Sequence, residues 1–230
     1  MAALLALASS VLWGTADFFG GVFTRRMQAI LVVLVSQAIA LACIIPAAWW
    51  AGSFDDPSGF LGWGIAAGIV GPVALVCFYR ALSIGTMGVV SPIAATGIVV
   101  PVAWGLVSGE APSTLQVCGM VVGFVGVMLA SGPDVQSENA PARADHYRSV
   151  MLALVAAVGF GLAFVCLDGG AEFSVGMTLV VQRSTSVILL IVPVIVITRF
   201  RGLRVRDLPG LAAVGFGDAA ANGAFAWSST

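Results

Sequence analysis

Three ionised side chains fall inside long apolar runs of this sequence. Asp17 lies in SSVLWGTADFFGG (9–21), Arg183 in VVQRSTS (180–186) and Asp218 in GFGDAAANGAF (215–225). A charge near a bilayer centre costs about 2.5 to 3.5 kcal/mol on insertion scales. The nine Leu, Phe and Val residues from Leu4 to Phe23 each return about 0.3 to 0.6 kcal/mol, so the first run can carry its aspartate across a membrane. Charges kept there can hold a polar solute, carry a proton, or pair with one another.

Each charge comes with neighbours of suitable type. On a helix of 3.6 residues per turn, positions 3, 6, 10, 13, 17 and 21 share a face. Here they are Ala, Ala, Ser, Trp, Asp and Gly, while Leu4, Leu5, Leu12, Phe19 and Val22 point away. Small and polar residues face protein or a cavity and large apolar ones face lipid, so Trp13 and Asp17 are expected to point inward. The plain alternative is that Asp17 pairs locally with Arg25 or Arg80. Arg183 sits about 12 Å along its helix at 1.5 Å per residue, within the patch Gln182-Arg183-Ser184-Thr185-Ser186. Its plain reading is an ion pair with Asp168 or Glu172. Asp218, with Asn222 one turn on and Phe225 on the same face, reads otherwise as an interhelical hydrogen-bonding site.

Gly215-Phe216-Gly217-Asp218 also reads as G-x-G-D, a signature of intramembrane aspartyl proteases, which need a second aspartate to share a proton. That partner typically follows a tyrosine. Asp17 follows Ala and Asp168 follows Leu, so the partner pattern is missing. No H-E-x-x-H, G-x-S-x-G or complete G-x-G-x-x-G occurs, and His146 stands alone in a polar linker. Neither a metal site nor a cofactor is expected. Cys43, Cys77, Cys118 and Cys166 fall in four separate apolar segments and read as small buried hydrophobes.

The elements that must position these residues follow from composition. The 230 residues are 60% hydrophobic and 9% charged, with a mean hydropathy of +1.06. A soluble domain is about a quarter charged. So poor a supply of charge implies an integral membrane protein, and the absence of a basic stripe argues against nucleic acid as a partner. Eight stretches have the roughly 20 apolar residues a spanning helix needs: 3–23, 28–51, 59–82, 88–108, 113–131, 149–167, 175–198 and 208–228. Ala6-Leu7-Ala8 mimics a signal-peptide cleavage site, but no positive residue precedes it and apolarity continues to Phe23, so the first span is expected to stay.

A polar linker, 133–148, divides the chain into 1–132 and 149–230. The two parts share order and spacing. Ser10 to Ala16 aligns with Ala157 to Ala163, Leu34-Val35-Ser36-Gln37 with Leu179-Val180-Val181-Gln182, and Gly64-Ile65-Ala66-Ala67 with Gly210-Leu211-Ala212-Ala213. These matches argue for an internal repeat. The alignment sets Arg183 against Ala38, Asp218 against Pro72, Asn222 against Val76 and Phe225 against Tyr79, so one half offers a carboxylate and an amide where the other offers a proline and a phenol. Nine of the ten arginines lie in or beside the loops after spans 1, 3, 5 and 7, and the other loops hold only acidic residues. The positive-inside rule then makes the arginine loops cytoplasmic and the N-terminus external. Equivalent loops of the two halves carry opposite charge, as expected of inverted repeats with five spans each. Pro72, Pro92, Pro101 and Pro193 interrupt spans. Gly64/Gly68, Gly105/Gly109 and Gly119/Gly123 are G-x-x-x-G pairs suited to close helix approach.

Three stretches, SSVLWGTADFFGGVFTRR (9–26), FYRALSIGTMGVVSPIAA (78–95) and SGEAPSTLQVCGMVVGFVGVMLAS (108–131), together with GFGDAAANGAF (215–225), resemble the EamA family of the drug/metabolite transporter superfamily. The resemblance covers essentially the whole chain. It implies an all-α polytopic carrier of two inverted five-helix repeats in a bacterial cytoplasmic membrane. Such carriers mostly export small metabolites, amino acids or drugs. Trp13, Asp17, Gln37, Tyr79, Gln182, Arg183, Asp218 and Asn222 are then the candidate lining of a solute cavity, with protons as a candidate coupling ion. The second repeat is expected to be truncated after three helices, leaving Arg183, Asp218 and Asn222 facing lipid or an open cleft. Solute transport is then expected only from an oligomer such as a homodimer, or from a longer chain. The alternatives are the aspartyl protease and a membrane fragment or oligomerising module that transports nothing.

Overall fold

The computed structural model describes residues 2–109, 111–130, 143–198, 200 and 202–229, and among these residues there is no strand. Helices α1 (Ala2–Thr24), α2 (Ala29–Trp50) and α3 (Phe60–Ile84) match the first three apolar runs. The fourth run is two short helices, α4 (Met87–Ala95) and α5 (Val99–Val107), joined by a 3-10 turn at Thr96–Ile98. Then follow α6 (Thr114–Ala130), α7 (Arg143–Ala171), α8 (Val175–Pro193) and α9 (Leu208–Ser229).

Among the described residues, six helical stretches are long and apolar enough to cross a membrane: Leu4–Thr24, Ala29–Trp50, Phe60–Ile84, Met87–Val107, Ala144–Ala171 and Val175–Val196. Two of the eight expected spans fall below that measure. The apolar part of α6, Thr114–Val127, is short. The 22 residues of α9 are thinned by Gly215, Gly217, Asp218 and Asn222.

Proline explains the irregular backbone. Pro101 in the first turn of α5 brings its ring against the carbonyl of Gly97 four residues back, and the chain answers with the 3-10 turn. Thr96 Oγ1 donates to the Ile93 carbonyl at 2.6 Å, capping part of the break. At the other end of the sequence, Pro193 closes α8 and a π-helical turn, Val194–Thr198, follows. The start of α8 is capped by Ser174, whose hydroxyl accepts from the Met177 amide at 3.2 Å.

Lipid offers no hydrophobic drive between helices, so packing must come from close fit. A Cβ on Gly68 would stand 2.6 Å from the Gln182 carbonyl, and one on Gly64 would stand 2.9 Å from the Val181 side chain. These two glycines let α3 approach α8. Gly119 and Gly123 have nothing near them, so that expected contact pair does not pack within the described residues. Leu61, Ile65, Ile69 and Val73, one every four residues of α3, are exposed as a continuous stripe. Trp49 and Trp50 are exposed at the end of α2, where an interfacial aromatic belt would sit.

The packing exchanges partners between the halves. α1 lies along α9 as α7 lies along α3, α2 meets α8, and α2 touches α9 as α8 touches α3. The loops sort by charge. Gly202 lies beside Arg26 and Met27, bringing the arginine loops after spans 1 and 7 together, while Ser53 meets Gly176 and Phe173 meets Gly59 at the opposite, acidic end.

Candidate solute cavity

Between the exchanged helices lies a cavity of about 960 Å³. From α1 it takes the small polar face read in the sequence: Ser9, Ser10, Trp13, Gly14 and Asp17 all line it. Ser9 Oγ donates to the Ala221 carbonyl at 2.8 Å and fixes that face against α9. Phe18 and Phe19, next in sequence, are exposed on the other side. The periodicity of α1 therefore decides which of its residues meet the cavity.

One polar network crosses four helices. Arg183 Nη2 on α8 stands 2.9 Å from Asp218 Oδ2 on α9 as an ion pair, and Nη1 donates to Gln37 Oε1 on α2. Trp13 Nε1 on α1 donates to Asp218 Oδ1 at 3.3 Å. Asn222 Nδ2 donates to the same oxygen at 3.0 Å and to the Asp218 carbonyl at 2.7 Å. A guanidinium kept at 2% exposure must find such partners, since a buried ion left alone is severely penalised.

Asp17 belongs to a separate branch. Tyr79 OH on α3 donates to its Oδ1 at 3.4 Å, and the Tyr79 ring packs where a side chain on Gly20 would otherwise go. Asp17 is near enough to Asp218 for their charges to repel. Among the described residues, no arginine stands at ion-pair distance from Asp17.

Seven of the eight candidates line the cavity: Trp13, Asp17, Gln37, Gln182, Arg183, Asp218 and Asn222. Tyr79 does not. It is 1% exposed and reaches Asp17 from behind the wall. The local partners expected for the charges are replaced. Arg183 pairs with Asp218 rather than Asp168 or Glu172, because it sits about 12 Å into α8 and Asp218 about 15 Å into α9 from the other end. Both are then near mid-membrane, whereas Glu172 is at the edge. Asp17 meets Tyr79 rather than Arg25 or Arg80; Arg80 Nη1 donates to Ser83 instead. Of the two settings expected for the second half's polar groups, lipid or an open cleft, the described residues place them at the cavity. Arg183 and Asn222 are buried and Asp218 is 20% exposed, because α1 and α2 cover them.

Aromatic residues of α7 complete the wall. Phe164 lies against Trp13 with ring centroids 5.2 Å apart, and Phe160 meets Phe78 edge-on at 5.7 Å. Their spacing of four residues on one helix was the available signal. Being apolar in an apolar run, they do not stand out from core residues. The oxygens of Asp218 are engaged by Arg183, Trp13 and Asn222.

No curated protein matches this chain. A solved structure titled "Crystal structure of protein" shares its fold, with a TM-score of 0.70 at 16% identity over 99% of this chain and 78% of that one. The model of the EamA-like transporter family matches residues 1–132, more than half of the sequence, and takes in Trp13, Asp17, Gln37 and Tyr79. With its apolar helices and the cavity between them, the chain is a multi-pass membrane protein belonging to the EamA-like transporter family of the drug/metabolite transporter superfamily.

Proposed function

We propose that this protein is a secondary transporter that exports a small organic solute across the bacterial cytoplasmic membrane by alternating access. The observation that carries the proposal is the cavity itself, which gathers polar side chains from α1, α2, α8 and α9 within an apolar bundle. Repeat-built carriers hold their solute near mid-membrane between two matching halves that rock about it. Residues 1–132 and 149–230 are the two halves in this proposal, with 133–148 as the linker. The reciprocal packing of α1 on α9 and α7 on α3 supports inverted repeats, and the charge-sorted loops support cytoplasmic arginine loops. Protons are the coupling ion, taken up at Asp17, and the working unit is a homodimer.

The test is solute flux into proteoliposomes containing the full chain, against a panel of amino acids, amines and amphiphilic drugs, with the oligomeric mass measured in detergent. Saturable flux of at least one solute is expected. Absence of flux from correctly folded protein, or cleavage of a helical substrate in its place, would overturn the proposal.

A further inference from the structure

The valences left open in the cavity have a sign. Its lining includes three carboxylates, Asp17, Asp168 and Asp218, against one guanidinium, Arg183. Arg183 and Asp218 neutralise each other at 2.9 Å. Asp17 remains inside with, among the described residues, the Tyr79 hydroxyl as its hydrogen-bond partner, and Asp168 remains exposed at the end of α7. The donors are largely spent. Arg183 Nη1 is on Gln37, Trp13 Nε1 and the Asn222 amide are on Asp218, and the Tyr79 hydroxyl is on Asp17. The acceptors are not spent. Gln182 Oε1 is buried without a partner, on a side chain 5% exposed that lines the cavity, and Ser91 Oγ is likewise unpartnered. Among the described residues, Arg183 Nε has no hydrogen-bond partner and Nη2 has only its ion pair with Asp218, on a guanidinium whose charge is already met, and the Ser91 hydroxyl can donate as well as accept.

An anion entering here would face an excess of negative charge, and the guanidinium N–H groups left open belong to a cation already neutralised by Asp218. A cation would neutralise Asp17, whose charge is otherwise unmatched in a low-dielectric setting, and could donate to Gln182 Oε1 if it carries N–H groups. The walls suit the same class. Trp13, Phe164, Phe160 and Phe78 line the cavity, and aromatic rings attract ammonium groups. The volume accommodates a drug-sized apolar body.

We infer that the cavity takes a monovalent organic cation, an amine or quaternary ammonium with an apolar body, with Asp17 as its counter-ion and Gln182 and the Trp13–Phe164 pair as its further contacts. This inference rests on the transporter reading and names the solute class for the same site.

The test compares four probes of similar size and different charge: benzyltrimethylammonium, phenylalanine, phenylacetate and benzyl alcohol. Equilibrium binding is measured on the whole purified chain, and flux is measured separately in proteoliposomes. Benzyltrimethylammonium should bind saturably and about ten-fold or more tighter than each of the other three. Asp17→Asn should remove that preference, and Asp17→Glu should retain most of it. If Asp17→Asn does not fold, the probe ranking on the unmodified chain decides. Tighter binding of phenylalanine or phenylacetate, a ranking unchanged in a folded Asp17→Asn variant, or no binding of the cation would each overturn the inference. The two readings fail separately. Flux of another probe without cation binding defeats the solute class alone, while Asp17-dependent cation binding without flux of any probe defeats the transporter reading alone.

Discussion

Arg183 on α8 and Asp218 on α9 form an ion pair at 2.9 Å, although the helices that carry them enter the bundle from opposite ends. The pair joins two elements of the second half, while Gln37 and Trp13 attach it to the first half. Breaking one side of a buried pair typically costs about 3 to 5 kcal/mol, whereas replacing both partners by apolar groups can be close to neutral. Arg183→Met and Asp218→Leu should therefore each lower the melting temperature in detergent clearly, and the double variant should melt above either single one. Additive losses would mean that the pair does not act as a unit.

Close helix approach depends on particular glycines rather than on every G-x-x-x-G pair. Gly68→Leu should separate α3 from α8, because even a Cβ there would lie 2.6 Å from the Gln182 carbonyl, and overpacking typically costs about 1 to 3 kcal/mol. Gly119→Ala, with open space around it, should leave the melting temperature within experimental error.

Topology is open to labelling with an impermeant thiol reagent in a background lacking the native cysteines. Ser58 and Arg204 are both exposed, at opposite ends of the bundle. Cysteine at Ser58 should label in intact cells and cysteine at Arg204 only after permeabilisation. The reverse pattern would invert the orientation.

Energy coupling divides two of the cavity aspartates, Asp17 and Asp218. Asp218 is held by an ion pair, while among the described residues Asp17 is held by the Tyr79 hydroxyl. Asp17→Asn should abolish accumulation of solute against its gradient. Tyr79→Phe, which removes one hydrogen bond worth about 1 kcal/mol, should shift the dependence on the proton gradient without abolishing transport. Undiminished accumulation by Asp17→Asn would place coupling elsewhere.

Much of this architecture is legible in the sequence because bilayer thickness fixes the length of each apolar run. The inward face of α1 is legible for a related reason: Ser10, Trp13 and Asp17 interrupt the apolar pattern at helical spacing. The break between α4 and α5 is marked by Pro92 and Pro101, though its position at Thr96–Ile98 depends on which carbonyl the Pro101 ring meets. Partners are less legible than positions. Nothing local to Arg183 indicates Asp218 rather than Asp168, since the choice is made by the depths at which two helices entering from opposite sides bring their charges level. Phe164 is hidden for a different reason, because an aromatic wall residue and a lipid-facing one look alike in an apolar run.

The measurement that bears most directly on the cavity as the path of the solute is flux in proteoliposomes by the unmodified chain beside Ser10→Trp. Ser10 lines the cavity and is exposed, so an indole there takes up space the solute would need. The prediction is saturable flux by the unmodified chain and its loss in Ser10→Trp at an unchanged melting temperature. Equal flux by the two proteins would contradict the cavity as the solute path.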